Sequence, residues 1–276
     1  MVRNGNFGQE GCVGVEILLC VDDTDSITKE TSTGAIAQEI AEELTKLGGV
    51  LQDGISRHQL LLDDAIAYTS HNSAMCLAMQ LPALPEAQVI ACAEQVIIRR
   101  KANGSDPGLA ICWLAQLEHP QQLLEFGFAA KQRVLSKAEA YALAAADHGL
   151  FLEELGGDGS GVIGALAGLG LRLSRCDGTL RGKTGEEWQQ QVFSIKELCQ
   201  RLHVEQILAE DGTCLPGTAL GMIETRAKVC FWQGKRSVWS KRREDDIFVL
   251  CATHQEVEDY HWQQSKNCPD FQWDND

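Results

Sequence analysis

Apolar positions in this chain follow two different periods. Residues 15–21 form a short apolar run that predicts a buried strand. Residues 35–47 instead place Ile36, Ile40, Leu44 and Leu47 on one helical face, with Glu39, Glu42, Glu43 and Lys46 elsewhere. Gly48-Gly49 closes that helix. Further along, residues 74–81 read as a strand, 86–100 as a helix, 103–108 as a turn and 109–114 as a strand. Residues 131–149 are Ala-rich and read as helix, and a glycine-dense segment, 156–170, leads into an expected strand at 171–175. Residues 1–14 are rich in Gly and Asn and read as a frayed end. Strands alternating with helices predict an α+β or α/β fold and leave the strand order open. Past residue 185 the texture shifts to more Gln, Trp and Lys. The segment 182–191 is the expected boundary between a main region, 1–185, and a small C-terminal unit, 186–276.

Composition narrows the class. At 276 residues the chain can bury a sizeable core, and 44% hydrophobic with 23% charged residues excludes disordered and fibrous proteins. Lys and Arg total 24 against 39 Asp and Glu, a net charge of −15. That sign argues against a general polyanion binder, because nonspecific nucleic-acid affinity is carried by Lys and Arg on phosphates. Eleven cysteines form no C-x-x-C pair, which excludes a zinc ribbon or finger. The odd count and the apolar neighbours of Cys20, Cys76, Cys112 and Cys251 predict free, buried thiols in a reducing compartment. With no basic-then-apolar leader and no apolar run near the roughly 18 residues of a membrane span, the expectation is a cytoplasmic protein with no membrane partner.

The strongest chemical signal is Asp22-Asp23-Thr24-Asp25-Ser26, directly after the first strand. Three carboxylates within four residues repel one another unless a cation joins them. Mg²⁺ suits them, since it takes one or two carboxylates together with substrate phosphates. Thr31-Ser32-Thr33-Gly34 then opens the first helix, where a hydroxyl can cap and the free N–H groups favour an anion. The two halves fit one device: Asp22, Asp23 and Asp25 hold a metal, and the helix start holds a phosphate, with Ser32 or Thr33 as phosphate ligand or acceptor. The alternative is a solvated acidic turn and an ordinary N-cap. An EF-hand fails for want of the required Gly and distal Glu.

Weaker signals follow. Residues 156–166 contain Gly159-x-Gly161-x-x-Gly164, the dinucleotide spacing, but the preceding Glu153-Glu154 reads as helix rather than strand, so a Rossmann assignment fails on context. The loop is either a phosphate cradle or, with Gly164, Ala165, Ala167 and Gly168, a device for close helix packing. Residues 178–184 nearly spell a Walker A loop but are one residue short between the glycines, leaving Arg181 or Lys183 as phosphate contacts. Arg57-His58 and His71-Asn72-Ser73 read as structural, and no nucleophile triad stands out. Arg226 to Arg243 holds seven Lys and Arg, no acid, and Phe231, Trp232 and Trp239. That is either a single-stranded RNA surface or a hairpin with core aromatics, neutralised by the acidic tail 244–276.

Together the aspartate motif, Thr69-x-x-Asn72-x-Ala74, Asp106-Pro107-Gly108 and the run from Gly161 to Ala167 resemble, in this order, the nucleotide-binding part of the archaeal isoleucine-tRNA agmatinylcytidine synthetases, over residues 15–175. The resemblance implies a kinase-like nucleotide-binding domain combined with a ferredoxin-like domain. It implies ATP and Mg²⁺, with Asp22, Asp23 and Asp25 at the phosphates and Ser32 where the family has a Thr implicated in phosphate transfer. Thr24, Ser26, Thr33, Asn72, Gly157, Gly159 and Gly161 complete the nucleotide-binding set. Family members activate a tRNA cytidine by phosphorylation and then add agmatine, and they continue into an OB-like domain and a zinc ribbon. Here Tyr68 and Ser70 stand where the family tends to be basic, and Lys29-Glu30-Thr31-Ser32-Thr33 replaces its Gly-Met-Cys-Thr-Thr run. The expected function is ATP/Mg²⁺-dependent phosphoryl transfer to an RNA base or a small molecule. A non-catalytic nucleotide- or RNA-binding module, in contact with RNA through Arg226–Arg243, is the alternative.

Overall fold

The computed structural model describes residues 14–24, 32–64, 66, 72–182 and 184–264. Its first half is β1 (Val15–Asp22), α1 (Thr33–Lys46), β2 (Val50–Gln59), β3 (Ser73–Leu81), α2 (Glu86–Arg100) and β4 (Gly108–Trp113). These strands pair antiparallel in the order β4-β1-β3-β2. β1 is apolar at every position from Ile17 to Val21 because it is covered on both faces. Ile17, Leu19 and Val21 pack with α1 and α2, while Leu18 and Cys20 face the opposite layer. The helical period of α1 sets Ile36, Ile40 and Leu44 against the first face. Ser32 caps α1, its hydroxyl accepting the Ala35 N–H at 3.2 Å, and Gly48, at φ 90°, lets the chain turn out of the helix.

The opposite layer comprises α3 (Pro120–Ala129), α4 (Lys137–Ala145) and α5 (Gly161–Ser174), with β5 (Leu150–Glu154) extending the sheet beside β4. α5 is buried nearly all round. It lies close to the sheet because the facing positions are small: a Cβ on Gly168 would overlap Cys20 Sγ and stand 3.0 Å from Ala74 Cβ.

Three expectations are corrected here. The strand expected at 171–175 is the end of α5, since a helix buried on every side carries no polar stripe to betray its period. The helix expected over 131–149 is confined to α4, opened by a capping box between Ser136 and Glu139. Glu153 and Glu154 lie on a strand, β5, so the glycine loop does follow a strand; but β5 is an edge strand antiparallel to β4, and no parallel crossover forms.

The sheet then continues. β6 (Thr179–Leu180) bridges β2 and β10 (Val229–Trp232), followed by β11 (Lys235–Arg242), β12 (Ile247–Leu250), β9 (Leu220–Met222) and β7 (Val192–Ser194), while β8 (Gln206–Leu208) runs parallel to β11. α6 (Ile195–Leu202) and α7 (His254–Gln264) complete this part. β10 and β11 form a hairpin whose two-residue turn, Gln233-Gly234, has positive φ at both positions. Phe231, Trp232 and Trp239 are buried inside it, so the basic-aromatic strip is a hairpin with core aromatics and not a stacking platform. Lys241, Arg242 and Arg243 pair with Glu256, Asp246 and Asp245.

The nine described cysteines are all free, and Cys20, Cys76, Cys112 and Cys251 are buried as expected. No helix among the described residues is long and apolar enough to cross a membrane.

Candidate functional site

The end of β1 and the start of α1 open on one cavity of about 680 Å³. Asp22 closes β1 opposite Gly108 in the β4 ladder, and Asp23 turns the chain with φ 49°, a left-handed conformation that Asp tolerates. Both carboxylate residues line the cavity, as do Ser32, Thr33 and Gly34. The first N–H groups of α1 have no acceptor within the helix, so they and the helix dipole face this space. The structure thus brings together Asp22, Asp23, Ser32, Thr33, Asn72 and Gly161. Asn72 donates its amide to Leu61 O at 2.8 Å and so ties the strand end beneath the cavity. Asp25 and Ser26 lie outside the described residues.

Thr24, Gly157 and Gly159 are not among the cavity-lining residues. Thr24 is fully buried, its hydroxyl without a hydrogen-bond partner among the described residues, while its carbonyl accepts the Ala102 N–H at 3.0 Å. In the glycine loop three N–H donors are committed to aspartate oxygens of the protein. Asp158 N–H donates to Asp106 Oδ1 at 2.5 Å, Ser160 N–H to Asp158 Oδ1 at 2.8 Å and Gly161 N–H to Asp106 O at 3.0 Å. Gly157 and Gly159 have positive φ and abut Asp106 and Glu154. The loop therefore builds a wall: it delivers Ser160, Gly161 and Gly164 to the cavity. Gly164 matters most, because a Cβ there would overlap Asp22 Oδ2 and stand 2.7 Å from Asp22 Cγ. The missing side chain makes room for the carboxylate.

Three arginines also line the cavity, and one of them, Arg133, is paired with Glu139. Arg57, on β2, donates from Nε to Ser73 Oγ at 3.1 Å and from Nη2 to Gln59 Oε1 at 2.9 Å; burial lowers its pKa. Arg181, just past β6, lies with its guanidinium against Gly34 in the first turn of α1. From the far end of the chain, Thr253, His254 and Gln255 form another wall, His254 being anchored by a hydrogen bond with Thr179. Carboxylates, cations and a helix start around one space can hold a metal-bridged polyanion. Sequence reasoning reached Arg181 only through the incomplete Walker-like run and set Arg57 aside. Nothing local marks the 253–255 wall, which reaches the cavity through long-range strand pairing.

A second polar cluster is sealed inside. Ser56 Oγ lies 2.7 Å from His58 Nε2, and His58 Nδ1 lies 2.9 Å from Asp177 Oδ1. This is the order of a nucleophile triad, which the sequence did not suggest. Ser56 and His58 are fully buried and absent from the cavity wall, so the chain of bonds is structural. Lys131 bridges Asp177 at 2.5 Å and Glu258 at 3.0 Å. Against the cost of burial, Lys131 and His58 hold Asp177 well below the usual carboxylate range. Burial pushes Glu258 up to about 7, with Lys131 pulling it down and Asp177 adding to the rise. Asp177, Glu258 and His261 place donor atoms within 4.8 Å of one another, with the Lys131 ammonium bound to both carboxylates.

No family model and no curated protein matches the chain. Among solved structures it is similar to TiaS in complex with an isoleucine tRNA and ATP, at 21% identity and a TM-score of 0.49 over 56% of this chain and 36% of that one. It is similar to apo TiaS, a tRNA agmatidine synthetase, at 20% identity and 0.48 over 56% and 35%. With the complex of TiaS, the same tRNA, AMPCPP and agmatine the values are 17% and 0.49 over 74% and 50%. The chain thus spans between 35% and 50% of the length of these proteins.

Proposed function

We propose that the cavity binds ATP together with a divalent cation and that the chain is an ATP-dependent phosphoryl-transfer enzyme related to the isoleucine-tRNA agmatinylcytidine synthetases. The observation that carries this reading is the convergence of Asp22 and Asp23 with the start of α1, Arg57 and Arg181 on one cavity. The donor set suits Mg²⁺: two carboxylates at a strand end, oxygen donors only, with Gly164 leaving space beside Asp22. Asp22 and Asp23 would hold such an ion, which would supply positive charge against the negative charge that develops during transfer.

The chain's own residues supply the rest. The N–H groups of Thr33 and Gly34 receive phosphate oxygens, with the dipole of α1 behind them. Arg57 and Arg181 offset the remaining negative charge and fix its direction. Ser32 holds its hydroxyl at the helix cap beside the same phosphates. Phosphoryl transfer is mostly positioning and charge stabilisation, so this set is sufficient for it.

The connectivity β1-α1-β2-β3-α2-β4 with order β4-β1-β3-β2 supports the ferredoxin-like part of the reading, being the split βαβ arrangement. The acceptor is an RNA base or a small molecule. Residues 1–185 form the nucleotide-binding region in this account, and residues 186–276 form a smaller unit that adds the 253–255 wall. Calorimetric titration with ATP, with and without Mg²⁺, tests the reading on the wild type and on Asp22→Asn. Mg²⁺-dependent binding that weakens at least tenfold in the variant is expected. A wild type that neither binds nor hydrolyses ATP with Mg²⁺ refutes it, and binding without turnover leaves a nucleotide-binding module.

A further inference from the structure

Three cations stand on one face of three neighbouring strands. Arg57 is opposite Thr179 in the β2–β6 pairing, and Thr179 is opposite Cys230 in the β6–β10 pairing. Continuing that register by two residues places Arg181 opposite Lys228, and the Arg181 N–H donates to Ile55 O at 2.7 Å. Opposite residues of an antiparallel ladder share a face, as do residues two apart on one strand. Arg57, Arg181 and Lys228 therefore lie on the same side of the sheet, and Arg181 reaches the first turn of α1 at Gly34.

Among the described residues none of the three forms an ion pair. Arg57 hydrogen-bonds the neutral Ser73 and Gln59, with the Glu258 carboxylate attracting it without forming an ion pair. Lys228 is 6% exposed, and a buried ammonium without a counter-charge is costly. Burial first, and then the charges of Arg226, Arg57 and Arg181, push Lys228 down to about 8. Like charges on one face of a sheet disfavour one another, and a bound anion offsets that repulsion.

We propose that Arg57, Arg181 and Lys228 form a phosphate subsite of the cavity, so that the C-terminal unit, through Lys228, completes recognition of a polyphosphate group. The ligand class is a nucleoside di- or triphosphate read by its charge; a nucleoside without phosphates does not satisfy the three cations. Arg57 and Arg181 line the cavity and meet the phosphate oxygens, while Lys228 supports them from the adjacent strand as a third charge. This inference rests on the nucleotide reading above and goes beyond it in assigning Lys228.

The test uses the full chain and metal-free pyrophosphate, titrated by calorimetry against wild type, Lys228→Met and Lys228→Arg. Pyrophosphate binding is expected to weaken at least tenfold in Lys228→Met and to persist in Lys228→Arg. Lys228→Met is expected to melt at or above the wild-type temperature, since it removes an unpaired buried charge, which separates lost binding from lost folding. Undiminished pyrophosphate binding by Lys228→Met, or no pyrophosphate binding by the wild type, overturns the inference. If ATP and Mg²⁺ bind in an Asp22-dependent way while Lys228→Met behaves as wild type, the nucleotide reading stands and only this inference falls. Lys228-dependent pyrophosphate binding without ATP binding gives the reverse. Titrating a short single-stranded RNA in parallel distinguishes a nucleotide polyphosphate from an RNA backbone as the source of the anion, and tighter Lys228-dependent binding of the RNA overturns the assignment to nucleotides.

Discussion

Gly164→Ala separates the fold from the site. Inside a helix this exchange ordinarily stabilises by about 1 kcal/mol. At Gly164 the new methyl would overlap Asp22 Oδ2 and stand 2.7 Å from its Cγ, whereas carbon atoms in ordinary contact are roughly 3.5–4.0 Å apart. The backbones cannot yield, because Asp22 is paired with Gly108, and Gly108 in turn packs directly on the Gly161 backbone at the start of α5. The carboxylate must turn away by about 1 Å or more, at a rotamer cost of roughly 0.5–1.5 kcal/mol. That cost and the helix gain nearly cancel. Stability should change by no more than about 1 kcal/mol, a shift of about 2–4 °C in Tm. Binding of ATP with Mg²⁺ should fall by about 100-fold, the penalty for misplacing a positioned group by about 1 Å. Thermal melts with and without ATP and Mg²⁺ read both quantities on one sample. A variant that melts near wild type and binds ATP and Mg²⁺ as tightly refutes the placement of Asp22 at the metal–phosphate group.

Lys131→Met should destabilise the chain by about 3–5 kcal/mol in chemical denaturation, because it leaves Asp177, 2% exposed, without its ammonium; a loss under about 1 kcal/mol contradicts the buried-charge account. The raised pKa of Glu258, about 7 against 4.5 ordinarily, means that the folded state binds more protons than the unfolded state between these values. Stability contributed by this group is present at low pH and is lost as pH rises from about 4.5 through 7. Glu258→Gln should therefore flatten the wild-type decline in stability across that window, and an unchanged slope counts against the assignment. Ser194→Ala removes the capping box that Ser194 forms with Glu197 at the start of α6 and should cost about 1 kcal/mol without altering ATP binding; an undiminished melting temperature speaks against the cap.

Much of the first half was legible because its signals are local. The apolar run of β1, the spacing of Ile36, Ile40 and Leu44 in α1, and the ends of α2 at Glu86 and Arg100 follow from period and punctuation alone. β2 escaped notice because Gln52, Asp53 and Gly54 interrupt it at a bulge, and its mixture of polar and apolar side chains imitates a loop. α5 was misread in part because burial on all sides erases the amphipathic stripe. The same division applies to the site. Asp22, Asp23, Ser32 and Thr33 belong to one strand–loop–helix passage, so their chemistry can be read in sequence. Arg57, Arg181 and the 253–255 wall come together only through the pairing of β2, β6 and β10, which no local pattern announces. The glycine loop shows the converse: its spacing invites a phosphate, but Asp106 and Asp158 take up the N–H groups of Asp158, Ser160 and Gly161.

The central claim is that a nucleotide's phosphates lie between the Asp22–Asp23 turn and the start of α1. A crystal structure of the chain with Mg²⁺ and a non-hydrolysable ATP analogue tests it most directly. The account predicts phosphate oxygens on the N–H groups of Thr33 and Gly34, with the ion on Asp22 and Asp23 and the guanidinium of Arg181 in contact with the same phosphates. An analogue bound elsewhere, or a cavity that stays free of it at saturating concentration, contradicts the account.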